Sequence, residues 1–320
     1  MPTAVVAIGG NSLLRPGERG TIEEQRRNLK TTCEGIAAVV AGGYGVVITH
    51  GNGPQVGAAL LRSEAAADQV PPLPLDVCDA ETQGSIGYLL QQTLQNTLGR
   101  RGLTQTVVTM VTQVLVALRD PAFRAPTKPV GPFYTRAQAE DHRARLKWQM
   151  VEDAKRGYRR VVPSPEPRAI VELLPIQRTL ESGALVIACG GGGIPVILHD
   201  CQLVGVEAVI DKDRVSALLA SQLGADLLLI STGVDEVALN FGTPEQRPLS
   251  RLTAAEAKRY LQEGQFPPGS MGPKIEAALS YLEHGGREVI ITSPEKIPAA
   301  LRGKAGTRIA PQLEPATRPT

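Results

Sequence analysis

The 320-residue chain predicts an α/β fold in which a mainly parallel sheet carries helices on both faces. Three observations carry this expectation. Short runs of Val, Ile, Leu and Ala are too uniformly apolar for half-exposed strands, segments of helical period alternate with them, and glycine clusters end several of the runs.

Taken in order, Thr3 to Ile8 reads as a strand that stops at Gly9-Gly10, and Ile22 to Val40 carries helical periodicity up to Gly42-Gly43. Gly45 to Thr49 is a second buried strand, running into His50-Gly51-Asn52-Gly53, with Pro54 suited to the start of a helix. A long helix is expected over about 76–98 and a strand over Gln105 to Thr109. Later strands, Leu185–Cys189, Leu227–Ile230 and Val289–Thr292, alternate with helices at about 214–223, 253–262 and 273–284. Between Arg119 and Pro163 the pattern breaks. This stretch is rich in Pro, Arg and Lys, holds the only tryptophan, Trp148, and contains the turn-prone Pro126-Thr127-Lys128-Pro129-Val130-Gly131-Pro132. Flanked by strand signals, it reads as a small protruding subdomain over approximately 119–163. Residues from about 311 to 320 read as a loose tail.

Composition narrows the function classes. Lys plus Arg number 34 against 32 Asp plus Glu, so the formal charge of +2 gives no electrostatic reason for a nucleic-acid partner. No apolar run reaches the roughly 18 residues a membrane span needs, and no basic, then apolar, leader opens the chain, so a cytoplasmic setting is expected. Cys33, Cys78, Cys189 and Cys201 form no CxxC pair and read as reduced, mostly buried thiols.

The strongest functional signal is glycine directly after buried strands, at Gly9-Gly10-Asn11, Gly51-Asn52-Gly53 and Gly190-Gly191-Gly192-Gly193. Ligands of open α/β sheets bind at the carboxyl ends of strands, glycine lets backbone amides approach a phosphate, and a following helix aims its positive end at the anion. One such cluster alone would only close a turn; three together favour an anion site. GxxxxGK[ST] is absent and the Gly190 cluster runs into Ile194-Pro195 instead of completing GxGxxG, which disfavours a P-loop enzyme and a simple NAD enzyme. Phosphoryl transfer needs cations and amide donors more than covalent chemistry. Lys274 would lie in the first turn of a helix, where a cation opposes the dipole at a cost of about 0.3–1 kcal/mol that a bound phosphate reverses. Lys212 lies between Asp211 and Asp213, where a carboxylate can hold an ammonium, although one aspartate could merely cap the helix and leave the lysine in water. Lys128 sits among prolines stiff enough to present it over the sheet edge. His50, His142, His199 and His284 show no metal-ligand spacing, and no GxSxG elbow is present.

Several runs then resemble the signatures of carbamate kinases, within the amino acid kinases: Ala7–Asn11, Thr49–Gly57, Pro126–Pro132, Val162–Pro167, Gly190–Pro195, Gly205–Asp213 and Gly269–Lys274. They cover the chain from residue 3 to about 309 in the family's order. The resemblance implies a three-layer αβα sandwich in a homodimer, with an N-terminal lobe of approximately 1–210 for carbamate and a C-terminal lobe of approximately 211–310 for the nucleotide. It implies reversible transfer between ATP and carbamate, giving ADP and carbamoyl phosphate, with Mg²⁺ held mainly by phosphates and water. On that mapping Gly9, Gly10 and Asn11 hold the transferring phosphoryl group, and Gly51, Asn52 and Gly53 flank carbamate. Lys128 reaches in from the subdomain, Lys212 and Lys274 neutralise phosphate charge, and Asp213 organises the lysines. Thr232, Val234, Asp235, Met271 and Gly272 fall at the nucleotide. Where many members carry an acidic or bulkier residue and a tyrosine near adenine, this chain has Gly233 and Ala238, a lost aromatic contact worth about 0.5–1.5 kcal/mol. The competing expectations are a kinase for another small acid, such as acetylglutamate, and a non-catalytic sensor on the same fold; retention of Lys128, Lys212, Asp213 and Lys274 disfavours the sensor.

Overall fold

The computed structural model describes residues 1–15, 17–152 and 157–312; most of the expected tail, 313–320, lies outside them. Its centre is an eight-stranded sheet in the order Arg251–Thr253, Thr307–Ala310, Glu288–Thr292, Leu227–Ser231, Thr3–Ile8, Gly45–His50, Leu185–Ile187 and Val107–Thr109. The pairs from Glu288–Thr292 to Val107–Thr109 are all parallel. Thr307–Ala310 runs antiparallel to Glu288–Thr292, so the last two strands reverse at that edge.

Both faces of the sheet are buried, which is why its strands lack polar alternation. Along the first strand Val5 and Ala7 join one core with Leu228, Ile230 and Ile291, while Ala4, Val6 and Ile8 join the other with Val46, Ile48 and Leu229. Helices Lys212–Leu223, Ala254–Gln262 and Gly272–Glu283 cover the first face, and Ile22–Ala41 and Leu75–Arg100 the second, giving three layers. Each fully buried Val, Leu or Ile contributes about 1.5–3 kcal/mol. Local signals fix the helix ends. Thr21 and Glu24 form a reciprocal capping box at the start of Ile22–Ala41, and Gly224, at φ 61°, ends Lys212–Leu223 in the left-handed region glycine favours.

A second sheet, Gln202–Gly205, Ile194–His199, Gln113–Leu115 and Ala169–Ile170, is not anticipated by the sequence pattern, because its strands are short and Gln202–Gly205 is exposed throughout. The stretch expected to protrude forms an antiparallel sheet of Lys128–Tyr134, Tyr158–Val162 and Gln149–Glu152 with helix Arg136–Leu146, around a small core of Tyr134, Ala139 and Met150. This unit grips helix Gly53–Ala65. Glu64 accepts a hydrogen bond from Tyr134 Oη at 3.0 Å and lies 2.8 Å from His142 Nε2. Near the other end of the helix, a Cβ placed on Gly57 would lie 3.1 Å from Gly131 Cα, so any side chain there would push the two backbones a few tenths of an ångström apart.

Candidate active site

The carboxyl ends of strands Thr3–Ile8 and Gly45–His50 meet the first turns of helices Lys212–Leu223 and Gly272–Glu283. Gly51 is the meeting point: a Cβ there would lie 3.5 Å from Cδ of Lys212 and 3.8 Å from the Gly10 amide nitrogen. The lysine stem therefore runs along the Gly51 backbone. A Cβ on Gly10 or on Gly53 would touch nothing within 4 Å, so both backbones border open space that a ligand can enter. Gly9 differs, because its Cβ would press on the Ser231 carbonyl at 3.1 Å. The Gly9–Asn11 turn leads into a 3₁₀ turn, Gly10–Ser12, and not a helix, so of the two open turns only Gly51–Gly53 feeds a helix N-terminus directly. The side chain of Asn11 lies outside the described residues.

The three lysines singled out in the sequence come together with two aspartates. Asp213 Oδ1 accepts from Lys212 Nζ at 2.7 Å and Oδ2 from Lys274 Nζ at 3.1 Å. Asp211 caps the helix, with Oδ1 accepting from the Asp213 amide at 2.9 Å and Oδ2 from Lys128 Nζ at 2.9 Å. One aspartate is thus a cap, yet Lys212 is not left in water: its side chain is only 13% exposed. Lys274 also donates to the Ser270 carbonyl at 3.2 Å. Burial pushes the Asp213 carboxyl up, but Lys212 and Lys274 outweigh it and hold the group at about 2. Asp211 is only partly buried; burial raises its carboxyl, but Lys128 brings it below the usual carboxylate range. Three ammoniums against two carboxylates leave the cluster one positive charge in excess beside the open Gly10 backbone, an arrangement suited to an anion.

Lys274 also stands on the wall of a cavity of about 290 Å³ that includes Thr232, Val234, Ala238, Phe241 and Met271. Asp235 faces a neighbouring hollow, where its carboxylate accepts from Ser293 Oγ at 2.5 Å, and Gly272 is buried at the start of its helix. Phe241, half-exposed on the cavity wall, went unnoticed in the sequence and supplies an aromatic face where Ala238 does not.

The Gly190–Gly193 cluster does not act as a phosphate cradle. It is buried and leads into strand Ile194–His199, not a helix, and the predicted strand before it ends at Ile187. Added Cβ atoms would fall 2.4 Å from His50 Nε2, 2.3 Å from Asn52 Nδ2, 2.2 Å from the Ile210 carbonyl oxygen and 2.2 Å from Val114 Cγ2 respectively. Four neighbours press on this turn at once, and glycine is what fits. His50, buried and deprived of solvation, falls to about 4 and stays neutral. Other contributors invisible in the sequence are Asp79 and Thr82, which bond the side chain of Asn52, and Ser216, whose hydroxyl lies 2.6 Å from that of Thr49. Within helical patterns these residues look like ordinary polar positions.

A model of the amino acid kinase family matches residues 2–293. A carbamate kinase-like protein of Escherichia coli (strain K12), YahI, is 51% identical over 309 residues, 95% of this chain and 98% of that one. The carbamate kinase of Pyrococcus horikoshii is 48% identical over 309 residues, 96% and 98% of the two chains. Among solved structures, carbamate kinase from Giardia lamblia bound to AMP-PNP superposes with a TM-score of 0.92 at 43% identity, over 97% of this chain and 98% of that one.

Proposed function

Since the chain belongs to the amino acid kinase family and groups there with the carbamate kinases, we propose that it transfers a phosphoryl group reversibly between ATP and carbamate, giving ADP and carbamoyl phosphate. The observation that carries this reading is the Lys128, Lys212 and Lys274 cluster, held by Asp211 and Asp213 beside Gly51, in the loop that also carries the open Gly53 backbone and next to the open Gly10 backbone. Approximately 1–210 would serve carbamate and 211–310 the nucleotide, the two sharing the central sheet through the pairing of Thr3–Ile8 with Leu227–Ser231.

In the ATP-forming direction, an oxygen of the ADP β-phosphate attacks the phosphorus of carbamoyl phosphate, and the bond to the carbamate oxygen breaks. No proton is transferred, so the protein's work is alignment and charge neutralisation. The amides of Gly9, Gly10 and Asn11 receive the transferring oxygens, Lys212 and Lys274 offset their charge, and Lys128 covers the acceptor side. Asp213 fixes both buried ammoniums without becoming protonated. The nucleotide base lies in the cavity lined by Thr232, Val234 and Met271, against Phe241, with Asp235 and Gly272 shaping the loop and helix start behind it. Among the described residues no three Asp, Glu, His or Cys side chains converge as metal ligands, and Asp213 is taken by lysines. Mg²⁺ would therefore be carried by phosphate oxygens and water, supplying further charge neutralisation. A homodimer, a cytoplasmic setting and use of carbamoyl phosphate from arginine or related nitrogen compounds complete the proposal. The four cysteines are free, Cys201 being exposed and the others buried, which agrees with a reducing compartment, and no described helix is long and apolar enough to cross a membrane.

The test is ATP formation from ADP, Mg²⁺ and carbamoyl phosphate by the purified protein, with Lys274→Ala as control. Synthesis abolished by the substitution is the expected result. No synthesis by the folded wild type, together with phosphorylation of acetylglutamate or another small acid by ATP, would overturn it.

A further inference from the structure

A carboxylate that the reaction itself does not use lies directly behind the acceptor loop. Asp79, on helix Leu75–Arg100, is fully buried; its Oδ1 accepts a hydrogen bond from Asn52 Nδ2, and its Oδ2 has no partner among the described residues. The same Asn52 nitrogen donates to Thr82 Oγ1 at 2.8 Å. The Thr82 hydroxyl proton is committed to the Asp79 carbonyl at 2.7 Å, so Thr82 offers Asn52 only lone pairs. Both partners are acceptors, and the network therefore decides which end of the Asn52 amide is nitrogen. Gly191 closes over the pair, since a Cβ there would lie 2.3 Å from Asn52 Nδ2 and 2.7 Å from Asp79 Oδ1. Planarity then turns the other end of the amide, the acceptor Oδ1, away from Asp79 and Thr82. No described donor reaches it, and Asn52 sits between the two glycines of the acceptor loop.

We propose that Asp79 is a positioning residue that holds Asn52 with its oxygen toward the acceptor, so that the site selects an acyl phosphate bearing an amino group over its methyl isostere. Carbamoyl phosphate presents an N–H donor where acetyl phosphate presents a methyl group. An outward carbonyl oxygen pairs with the first and is left unpaired by the second, whereas an outward NH₂ would favour neither. A buried carboxylate with an orphaned oxygen is costly to the fold, and a cost retained beside a site points to use there. The inference rests on the carbamate kinase reading and concerns how its acceptor is distinguished.

The experiment compares kcat/KM for ATP formation from ADP with carbamoyl phosphate and with acetyl phosphate, alongside thermal unfolding. In both reactions the same phosphorus–oxygen bond breaks and the same bond to ADP forms. The wild type is expected to favour carbamoyl phosphate. Asp79→Leu, whose terminal methyls replace both carboxylate oxygens, is expected to shrink that preference by about tenfold, with the loss in the carbamoyl phosphate arm and with Tm unchanged or higher. Asp79→Asn keeps an oxygen acceptor for Asn52 and is expected to restore the ratio. Thr82→Val removes the second acceptor and is expected to act in the same direction as Asp79→Leu, serving if the latter does not fold. An unchanged ratio, or parallel loss with both donors, overturns the positioning role while leaving the proposed activity standing. ATP from neither donor with folded wild type overturns the activity, and the positioning role with it.

Discussion

Replacing Asp213 by Asn removes the one carboxylate that two buried ammoniums share, keeping shape and deleting charge. The size of the effect follows from the titration of Asp213. Its carboxyl stands at about 2 against the usual 3.8, which favours the ionised form in the folded chain by about 2–3 kcal/mol. Asparagine forfeits that and leaves Lys212 and Lys274, with side chains 13% and 14% exposed, facing each other uncompensated. A loss of about 3 kcal/mol is expected at pH 7, which for a chain of this size lowers Tm by about 4–5 °C. Because the folded pKa is depressed, the stabilisation is complete above 3.8 and disappears as pH falls toward 2, so wild type and variant converge in acid. The assay is thermal unfolding with and without ADP and Mg²⁺. Phosphate oxygens replace the missing negative charge, so the nucleotide should raise the Tm of the variant more than that of the wild type, while kcat falls about a hundredfold through misplaced lysines. An unchanged Tm without nucleotide would refute the view that Asp213 pins the two ammoniums.

Lys212→Ala and Lys274→Ala are each expected to lower kcat by about a hundred- to a thousandfold or more with the circular dichroism spectrum unchanged; near-normal turnover in both would remove the charge-neutralisation mechanism. Lys128→Met breaks a pair whose lysine side chain is 39% exposed, so solvent screening limits the stability change to within about 1 kcal/mol; kcat/KM for carbamoyl phosphate should nevertheless fall, as steady-state assays would show. Gly192→Ala demands φ +101° of alanine and sets its Cβ 2.2 Å from the Ile210 carbonyl, so loss of soluble expression or a drop of more than about 3 kcal/mol in urea unfolding is expected. Burial raises the Asp79 carboxyl to about 7. The unfolded chain therefore holds fewer protons than the folded one between about 4 and 7, and this group makes stability decline as pH rises through that window. Asp79→Leu should remove that slope, its Tm gain over the wild type growing from pH 5 to pH 8.

The strands were legible because a sheet buried on both faces demands unbroken apolar runs, and Thr3–Ile8, Gly45–His50 and Leu227–Ser231 are such runs. The edge reversal at Thr307–Ala310 was not, since four residues of strand carry no mark of direction. Lys212 and Lys274 announced themselves by lying at helix starts, where a cation is out of place without an anion. Their gathering around Asp213 could be expected only by resemblance, and the partnership of Lys128 with Asp211, 83 positions apart, leaves no trace in spacing. The Gly190 cluster misled for a physical reason. Glycine is required both where a ligand approaches backbone and where side chains crowd it, and the sequence is the same in either case.

Helix Gly53–Ala65 opens at the acceptor loop and closes, 13 residues and about 20 Å later, in the hold of Tyr134 and His142 on Glu64. A short rod anchored at both ends is a transmission shaft. A displacement of the small unit would be delivered to Asn52 and Gly53, and by reciprocity an acceptor bound against those residues would bias where the small unit sits. Substitutions at Glu64, remote from any bond that breaks, should therefore register as changes in how firmly carbamate is held.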